Sequence, residues 1–303
     1  MTKNKKRKKM FMFVFMKEII CLLKELGKTR SSESYTATLN SFKRFRNNED
    51  LLLSELNEEM LLSYEVYLKT QGLCPNTTSF YMRNLRAVYN RAVEKGIIFQ
   101  QFPFKHVYTG IDKTIKRALP LHTIKKIKHM DLSHNPSMEF ARDMFLFSFY
   151  MRGMSFIDMA YLKKKDLKNG ILSYRRRKTG KLLTIKWESC MQELVDKYGA
   201  PQSPYMLPII QSAKADTRKQ YLYQIHNINR HLKSIGSQLK SNIPLTLYVA
   251  RHSWASIAKN RQIPLSVISE GMGHDSEKTT LIYLATLDTS AVDKANNAIL
   301  KLL

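Results

Sequence analysis

The sequence predicts a mainly α-helical protein of two domains, the second of which also carries a small antiparallel sheet. Apolar residues recur at helical spacing through most of the first hundred residues, and a basic stretch with Pro103 and Gly110 then interrupts the pattern. Beyond this interruption, helical patterns surround two short strand-like segments that flank a basic turn. The 303 residues, of which 44% are hydrophobic, are enough to build two separate cores.

Four helices are expected in the first domain, because apolar residues form four stripes and recur within each stripe at helical spacing, mostly every three or four positions. Glycines follow the first, third and fourth stripes, and glycine is common just after a helix. The stripes are Phe15, Ile19, Leu22, Leu23 and Leu26; Tyr35, Leu39, Phe42 and Phe45; Tyr64 and Leu68; and Tyr81, Leu85, Val88, Tyr89 and Ala92. We therefore place a basic arm at residues 1–10, a four-helix domain at 11–105 and a linker at 106–118.

The second domain is expected at residues 119–303 and begins with helices at 123–130, 138–152 and 156–162. Residues 171–174 and 182–185 are strand-like, and the sequence between them reads Arg-Arg-Arg-Lys-Thr-Gly-Lys. This arrangement predicts a β-hairpin with a basic tip and Gly180 in its turn. From Trp187 onwards the chain is again mainly helical.

The charge balance favours a polyanionic partner. Lys and Arg number 50 against 25 acidic residues, and the net charge of +25 is spread along the chain, which favours nucleic acid over a membrane surface. The three cysteines are far apart and indicate a reducing cytoplasm rather than disulfides or a zinc site. No apolar stretch approaches the roughly 20 residues of a membrane span, and no signal-peptide cleavage site follows the apolar N-terminal run. We expect a cytoplasmic, nucleoid-associated protein without a cofactor.

The last sixty residues place a basic residue, a histidine and a tyrosine in an order that suggests chemistry on a phosphate. Arg251 and His252 come first, Gly273 and His274 follow, and Tyr283 comes last. A guanidinium can bind two phosphate oxygens at once, and a phenol is a nucleophile once it has lost its proton. His252 is adjacent to Arg251 and would point elsewhere on a helix, so we expect it to have a structural role. No metal is needed where arginines supply the positive charge, and the sequence shows no carboxylate cluster that would hold Mg²⁺.

These residues stand in three sequence boxes that resemble those of the tyrosine recombinase (phage integrase) family. The boxes read Arg251-His-Ser-Trp-Ala-Ser256, Met272-Gly-His274 and Thr279-Thr-Leu-Ile-Tyr283, in the order and at the spacing of that family. The resemblance implies a four-helix, SAM-like core-binding domain, a mixed α/β catalytic domain, and a clamp of both around the duplex. It also implies site-specific recombination of double-stranded DNA through a 3′-phosphotyrosine, and a homotetramer in the synapse. An accessory DNA-bending protein is a further partner that it suggests.

The resemblance assigns a role to individual residues. Tyr283 would be the nucleophile and Arg251 the clamp on the scissile phosphate. His274 would either bind the phosphate or help to deprotonate the phenol. Lys178 at the hairpin tip resembles the lysine that protonates the leaving 5′-oxygen, and Lys181 close by is the alternative.

Two positions depart from the family pattern. Tyr248 stands three residues before Arg251, where histidine is usual, and a phenol can donate to a phosphate oxygen but is a poor base. Ser155 stands three residues before Asp158, where the family has its first arginine. On a helix, Arg152 would lie roughly 4.5 Å along the axis from Ser155, within reach of the same place. Arg152 could therefore replace the missing arginine; alternatively it is structural and the site has one arginine fewer.

The sequence leaves three further choices open. A type IB topoisomerase would use the same chemistry, and a non-cleaving DNA-binding regulator is kept open by Ser155 and Tyr248. The same two residues make the chain look like mobile-element integrases and DNA invertases, but they do not decide between integration, excision and inversion. The terminal segment could pack within its own protomer or dock on a neighbour through an apolar stripe made of Val292, Ala295, Ile299, Leu302 and Leu303.

Overall fold

The computed structural model describes residues 9–112, 117–212, 215–284, 296–297 and 299–300, with the backbone alone for residues 282 and 283. The chain divides into two units, Met1–Thr114 and Ile115–Leu303. Most of the basic arm expected at residues 1–10, and most of the apolar stripe expected near the C-terminus, lie outside the described residues. The domain boundaries that we place at 105/106 and 118/119 stay predictions.

Within the described residues, the first unit contains four α-helices, as the sequence predicts. Helix α1 covers Met12–Glu25, α2 covers Thr29–Phe45, α3 covers Glu58–Thr70 and α4 covers Pro75–Glu94. The side chain of Asn57 caps the start of α3, and α4 starts with Pro75, whose fixed φ suits a first helical turn. Phe42 of α2 packs edge-on against Tyr64 of α3, with ring centroids 4.9 Å apart and both side chains fully buried. The apolar stripes thus close one core.

Residues 106–112, which fall in the expected linker, lie along α4. The Ser79 hydroxyl and the Arg83 guanidinium donate to the carbonyl oxygen of Gly110, at 2.5 and 3.2 Å. The Asn76 side chain exchanges two hydrogen bonds with the backbone of Asp112, at 2.9 and 3.1 Å. These bonds attach the segment to the first unit.

The second unit is organised around one central helix. Its α-helices between residues 117 and 284, in the part of the chain that the structure describes, are α5 (Leu121–Lys128), α6 (Pro136–Tyr150), α7 (Phe156–Ala160), α8 (Ser189–Tyr198), α9 (Thr217–Gln238), α10 (Leu247–Asn260), α11 (Leu265–Gly271) and α12 (Glu277–Tyr283). Helix α6 packs against α5, α8, α9 and α10, and its Met144, Phe145 and Phe147 are fully buried. No helix in the described ranges is long and apolar enough to cross a membrane.

A three-stranded antiparallel sheet completes the second unit, with strands in the order β1-β2-β3. The strands are β1 (Leu167–Lys168), β2 (Ile171–Arg175) and β3 (Leu182–Lys186). Alternate residues of β2 and β3 face the core, with Leu172 opposite Ile185 and Tyr174 opposite Leu183. The predicted hairpin and the predicted fold class, mainly α with a small antiparallel sheet, are confirmed. The two-residue strand β1 was not expected.

Candidate active site

Arg251 lies at the centre of a buried site in the second unit. It projects from α10, is 4% exposed, and is held by hydrogen bonds to two loops. Its Nη1 donates to Gly153 O at 2.7 Å, and its Nη2 donates to Met272 O at 2.8 Å. Nη2 also lies 2.8 Å from Nε2 of His274. The guanidinium is therefore fixed against the turn that follows α6 and the turn that follows α11.

In the turn after α6, the residue that contacts Arg251 must be a glycine. Gly153 has φ of +73°, and a Cβ there would lie only 2.7 Å from Arg251 Cα. An L side chain would be strained at this φ and would also collide with the backbone of α10. Gly153 thus lets its carbonyl oxygen approach the guanidinium.

His274 is buried between Arg251 and Thr280 of α12. Its Nδ1 lies 2.8 Å from Thr280 Oγ1, and the histidine is 5% exposed. Burial, and then the positive charges of Arg251, Arg176, Lys178 and Lys181, lower the pKa of His274 to about 4. The imidazole is therefore neutral near pH 7 and is a weak base, in a field of four cationic side chains.

Arg176, which was not among the predicted site residues, is a second buried guanidinium of this site. Arg176 is 7% exposed, and its Nη1 donates to Gly273 O at 2.5 Å. Gly273 has φ of +65°, and a Cβ at this position would come within 2.7 Å of Arg176 Cδ. One signal could have found Arg176: the inward alternation of Leu172 and Tyr174 on β2 continues to residue 176.

Asp158 joins the hairpin to the site. This carboxylate is 3% exposed, accepts a hydrogen bond from the Ser155 hydroxyl at 2.6 Å, and accepts another from the Arg177 backbone N–H at 2.8 Å. Its Oδ2 also lies 3.9 Å from Nε of Arg176. Ser155, which stands in the place of the family's first arginine, therefore helps to hold the carboxylate that orients Arg176.

The two hairpin lysines lie in different environments. Lys178 is exposed at the tip, while Lys181 is half-buried immediately before β3. The Lys181 Nζ donates to His274 O at 3.1 Å. Lys181 therefore joins the hairpin to the turn after α11, and Lys178 stays on the solvent side of the site.

Arg152 is not one helical turn from Ser155, so that expectation was wrong. Helix α6 ends at Tyr150, and Arg152 itself has φ of +57°, in a turn rather than a helix. The residue is half-buried, and its Nη1 lies 3.5 Å from Thr184 O on β3, at the limit of a hydrogen bond. The Arg152 Cδ lies 3.6 Å from the position of a Cβ on Gly271, near the turn of His274. Arg152 stays a candidate at the edge of the site.

The two tyrosines of the predicted site lie on different helices. Tyr248 on α10 is 55% exposed, and its ring packs edge-on against His252 with centroids 4.6 Å apart. This packing agrees with a structural role for His252. Tyr283 is the last residue of α12, three positions after Thr280, and its side chain lies outside the described residues.

Comparison with known proteins finds recombinases and integrases. Residues 11–107 match the family model of the phage integrase SAM-like domain. Tyrosine recombinase XerA of Pyrococcus furiosus is 27% identical over 194 residues, which cover 61% of this chain and 64% of that protein. A probable integrase/recombinase protein of Methanocaldococcus jannaschii is 28% identical over 127 residues, which cover 40% of this chain and 38% of that protein. Each match spans less than two thirds of the relative's length.

Solved structures share the fold. Lambda integrase, in a tetramer bound to a Holliday junction, aligns with a TM-score of 0.67 at 14% identity, over 91% of this chain and 78% of that one. The Tn1549 transposon integrase, in complex with circular intermediate DNA, aligns with a TM-score of 0.66 at 15% identity, over 94% and 99% of the two chains. The predicted SAM-like first domain and the resemblance to the tyrosine recombinases are confirmed.

Proposed function

We propose that this chain, a homologue of the tyrosine recombinases, is a site-specific recombinase that cuts and rejoins double-stranded DNA through a 3′-phosphotyrosine. One observation carries the proposal: two buried guanidiniums, Arg251 and Arg176, are fixed by backbone carbonyl groups beside His274, and the Lys181 ammonium donates to His274 O. A compact field of this sign, with rigid donors, suits the phosphate group of DNA. The net charge of +25 suits the rest of the polyanion.

The reaction makes specific demands that these residues can meet. The Tyr283 phenol releases its proton to water and its oxygen forms a bond to phosphorus while the bond from phosphorus to the 5′-oxygen breaks. Negative charge then builds up on the two nonbridging oxygens. Arg251 and Arg176 would stabilise that charge, since preorganised donors stabilise a transition state most effectively in a buried site. Lys178 would give a proton to the leaving 5′-oxygen. The phosphotyrosine bond keeps the free energy of the broken bond, so a 5′-hydroxyl can reverse the step without ATP.

This proposal also assigns roles to three other predicted site residues, His274, Tyr248 and Arg152. A pKa of about 4 makes His274 a poor acceptor for the phenol proton, so we assign it to holding Arg251 rather than to deprotonating Tyr283. Tyr248, more than half exposed on α10, would donate to a phosphate oxygen. Arg152 would be a second choice, after Arg176, for the arginine that the family pattern lacks.

The binding partners that we propose are suggested by the structures of the similar integrases, which are bound to DNA. We propose that four copies act together on two duplexes, with both domains on the DNA, and that strands are exchanged through a four-way junction. The terminal segment would link the protomers by docking on a neighbour. An accessory DNA-bending protein is a further proposed partner, and mobile-element integration or promoter inversion is the proposed setting.

Trapping the covalent intermediate tests this proposal. A target is selected from random duplex DNA by binding. A nick is then placed close to the cleavage site, so that the short fragment with the free 5′-hydroxyl diffuses away after cleavage and the covalent complex is trapped. We expect a covalent band on a denaturing gel with wild-type protein in EDTA, and none with Tyr283→Phe, which should bind the target normally. Tyr223→Phe is the matched control, because Tyr223 is 68% exposed on α9 and outside the site.

Two results would count against the proposal. A covalent band that persists in Tyr283→Phe would move the nucleophile to another residue. A wild-type protein that binds selected DNA but never forms the band would be a non-cleaving DNA-binding protein.

A further inference from the structure

Thr280 is buried beside His274 and has no role in the chemistry described above. Its side chain is 0% exposed, and its Oγ1 lies 2.8 Å from Nδ1 of His274. The other ring nitrogen, Nε2, lies 2.8 Å from Nη2 of Arg251. The three side chains form a continuous row from α12, across the turn after α11, to α10.

The contact with the arginine shows which way the hydrogen bonds of this row run. A guanidinium has donors and no acceptor, so Nε2 of His274 must be the unprotonated nitrogen that accepts from Arg251. In a neutral imidazole the proton then sits on Nδ1, and the Thr280 oxygen must accept it. The alternative tautomer would place two N–H donors opposite each other.

We propose that Thr280 is a positioning residue: it accepts the Nδ1–H of His274, holds the imidazole in the tautomer that accepts from Arg251, and so fixes the guanidinium for the phosphate. This inference rests on the proposed function, because the phosphate is the group that Arg251 would bind. The buried row explains why a threonine, with both a methyl group and a hydroxyl, suits this place on α12.

The row also joins the helix of the nucleophile to the arginine. Thr280 lies three residues before Tyr283 on α12, while Arg251 is on α10. The imidazole of His274 is hydrogen-bonded to one side chain from each of these two helices. The row thus relates the position of α12 to that of the guanidinium.

The decisive substitution keeps the shape of Thr280 and removes its oxygen. In Thr280→Val the Nδ1–H loses its buried acceptor, and a buried donor without a partner is unfavourable. The proton can move to Nε2, but this nitrogen then no longer accepts from Arg251. Thr280→Ser keeps the hydroxyl, so it should keep the tautomer and the arginine in place.

The first measurement reports the tautomer without any DNA. The imidazole nitrogens of the free, full-length protein are labelled with ¹⁵N, and the signals of His274, one of eight histidines, are assigned by their loss in His274→Gln. We expect His274 to be the Nδ1–H tautomer in the wild type and in Thr280→Ser, and to lose that tautomer in Thr280→Val. Thr279→Val is the matched control, since the Thr279 hydroxyl lies 3.2 Å from Ser276 Oγ and not on the histidine.

The second measurement is single-turnover cleavage at saturating protein. Residues that orient a reacting group through a hydrogen bond typically contribute about 10- to 100-fold, as the outer partners of metal ligands do. We expect Thr280→Val to lose cleavage on that scale with unchanged DNA affinity, while Thr280→Ser and Thr279→Val stay near the wild-type rate. Thermal unfolding of each variant checks that the fold is kept.

The outcomes separate this inference from the proposed function. If Thr280→Val keeps the Nδ1–H tautomer, or if Thr280→Ser behaves like Thr280→Val, the positioning role is wrong. If the tautomer changes as expected but the wild-type protein never cleaves selected DNA, the hydrogen-bonded row stands and the recombinase proposal fails.

Discussion

The site has a buried side and an exposed side, and they are built in different ways. On the buried side, Arg251, Arg176 and His274 are each less than 10% exposed and are hydrogen-bonded to backbone or to each other. On the exposed side, Lys178 is at the tip of the hairpin and Tyr248 is more than half exposed. Groups of the first kind are in place before DNA binds, whereas groups of the second kind lose side-chain freedom when they engage it.

This difference in burial suggests which side chains affect the cleavage step and which affect DNA binding. Buried and rigid charges contribute most where charge develops in the transition state, because they need no reorganisation at that moment. Exposed basic side chains contribute through long-range attraction, which salt screens. We therefore expect the buried side, together with the general acid Lys178, to control the rate of cleavage, and the other exposed basic side chains to control the affinity for DNA.

Salt gives the largest expected contrast between the two sides. If the exposed surface makes about 6–10 phosphate contacts, the affinity should fall by about 10³–10⁵ between 50 and 200 mM salt. The rate of cleavage at saturating protein should change far less, because buried charges are screened less. Filter binding and single-turnover cleavage across the same salt series measure both quantities. An affinity that is flat across the series would rule out binding through exposed charges.

Substitutions of the two hairpin lysines give the next largest expected effect, which is on the rate of cleavage. Replacing the 5′-bridging oxygen of the target with sulfur gives a leaving group that needs no proton. We expect Lys178→Ala to lose about 10²–10⁴ in cleavage rate on ordinary DNA and to recover on the sulfur substrate, as the loss of a general acid should. Lys181→Ala, which removes the hydrogen bond to His274 O, should lose less and should not recover. The opposite pattern would make Lys181 the acid.

The pH dependence of stability is the smallest effect, and it comes from the buried side alone. The pKa of His274 is lowered from 6.5 to about 4, mainly by burial and then by Arg251 and the other cations. Below about pH 6.5 the unfolded chain takes up a proton on this ring, and the folded chain does so only near pH 4. The stability that the neutral ring provides is therefore complete above about pH 6.5 and is lost as the pH falls towards 4.

Thermal unfolding across this pH range measures the effect. We expect the melting temperature of the wild type to fall more steeply from pH 6.5 to pH 4 than that of His274→Gln. His129→Gln, a substitution of an exposed histidine, should keep the wild-type slope. Equal slopes for the wild type and His274→Gln would mean that the ring is protonated in the folded protein at these pH values.

Local patterns in the sequence predicted most of the fold. The four apolar stripes of residues 15–92 became four helices, because each stripe buries one face against the same core. The hairpin was predictable from its basic turn. Strand β1 was not, since its two residues carry no periodic signal and depend on pairing with β2.

The site was predictable in its residue types and less so in its geometry. Arg251 and His274 were named from their sequence boxes, and they lie in contact. Arg176 follows from the alternation of β2, but Arg152 was misplaced, because a left-handed turn at residues 152 and 153 ends α6 and a helical spacing cannot show it. The contact of Thr280 with His274 depends on how α12 packs, which no local pattern encodes.

Cleavage of DNA that carries an uncharged methylphosphonate in place of the scissile phosphate tests most directly whether the buried guanidiniums act on the phosphate. A methylphosphonate at the scissile position lacks one of the charges that Arg176 would stabilise. We predict that Arg176→Ala loses about 10²–10³ in single-turnover cleavage of ordinary DNA and regains most of it on the methylphosphonate. Arg152→Ala should stay near the wild-type rate on ordinary DNA, and thermal unfolding should show both variants folded. A folded Arg176→Ala that cleaves ordinary DNA normally, while Arg152→Ala is defective and rescued by the methylphosphonate, would contradict the account.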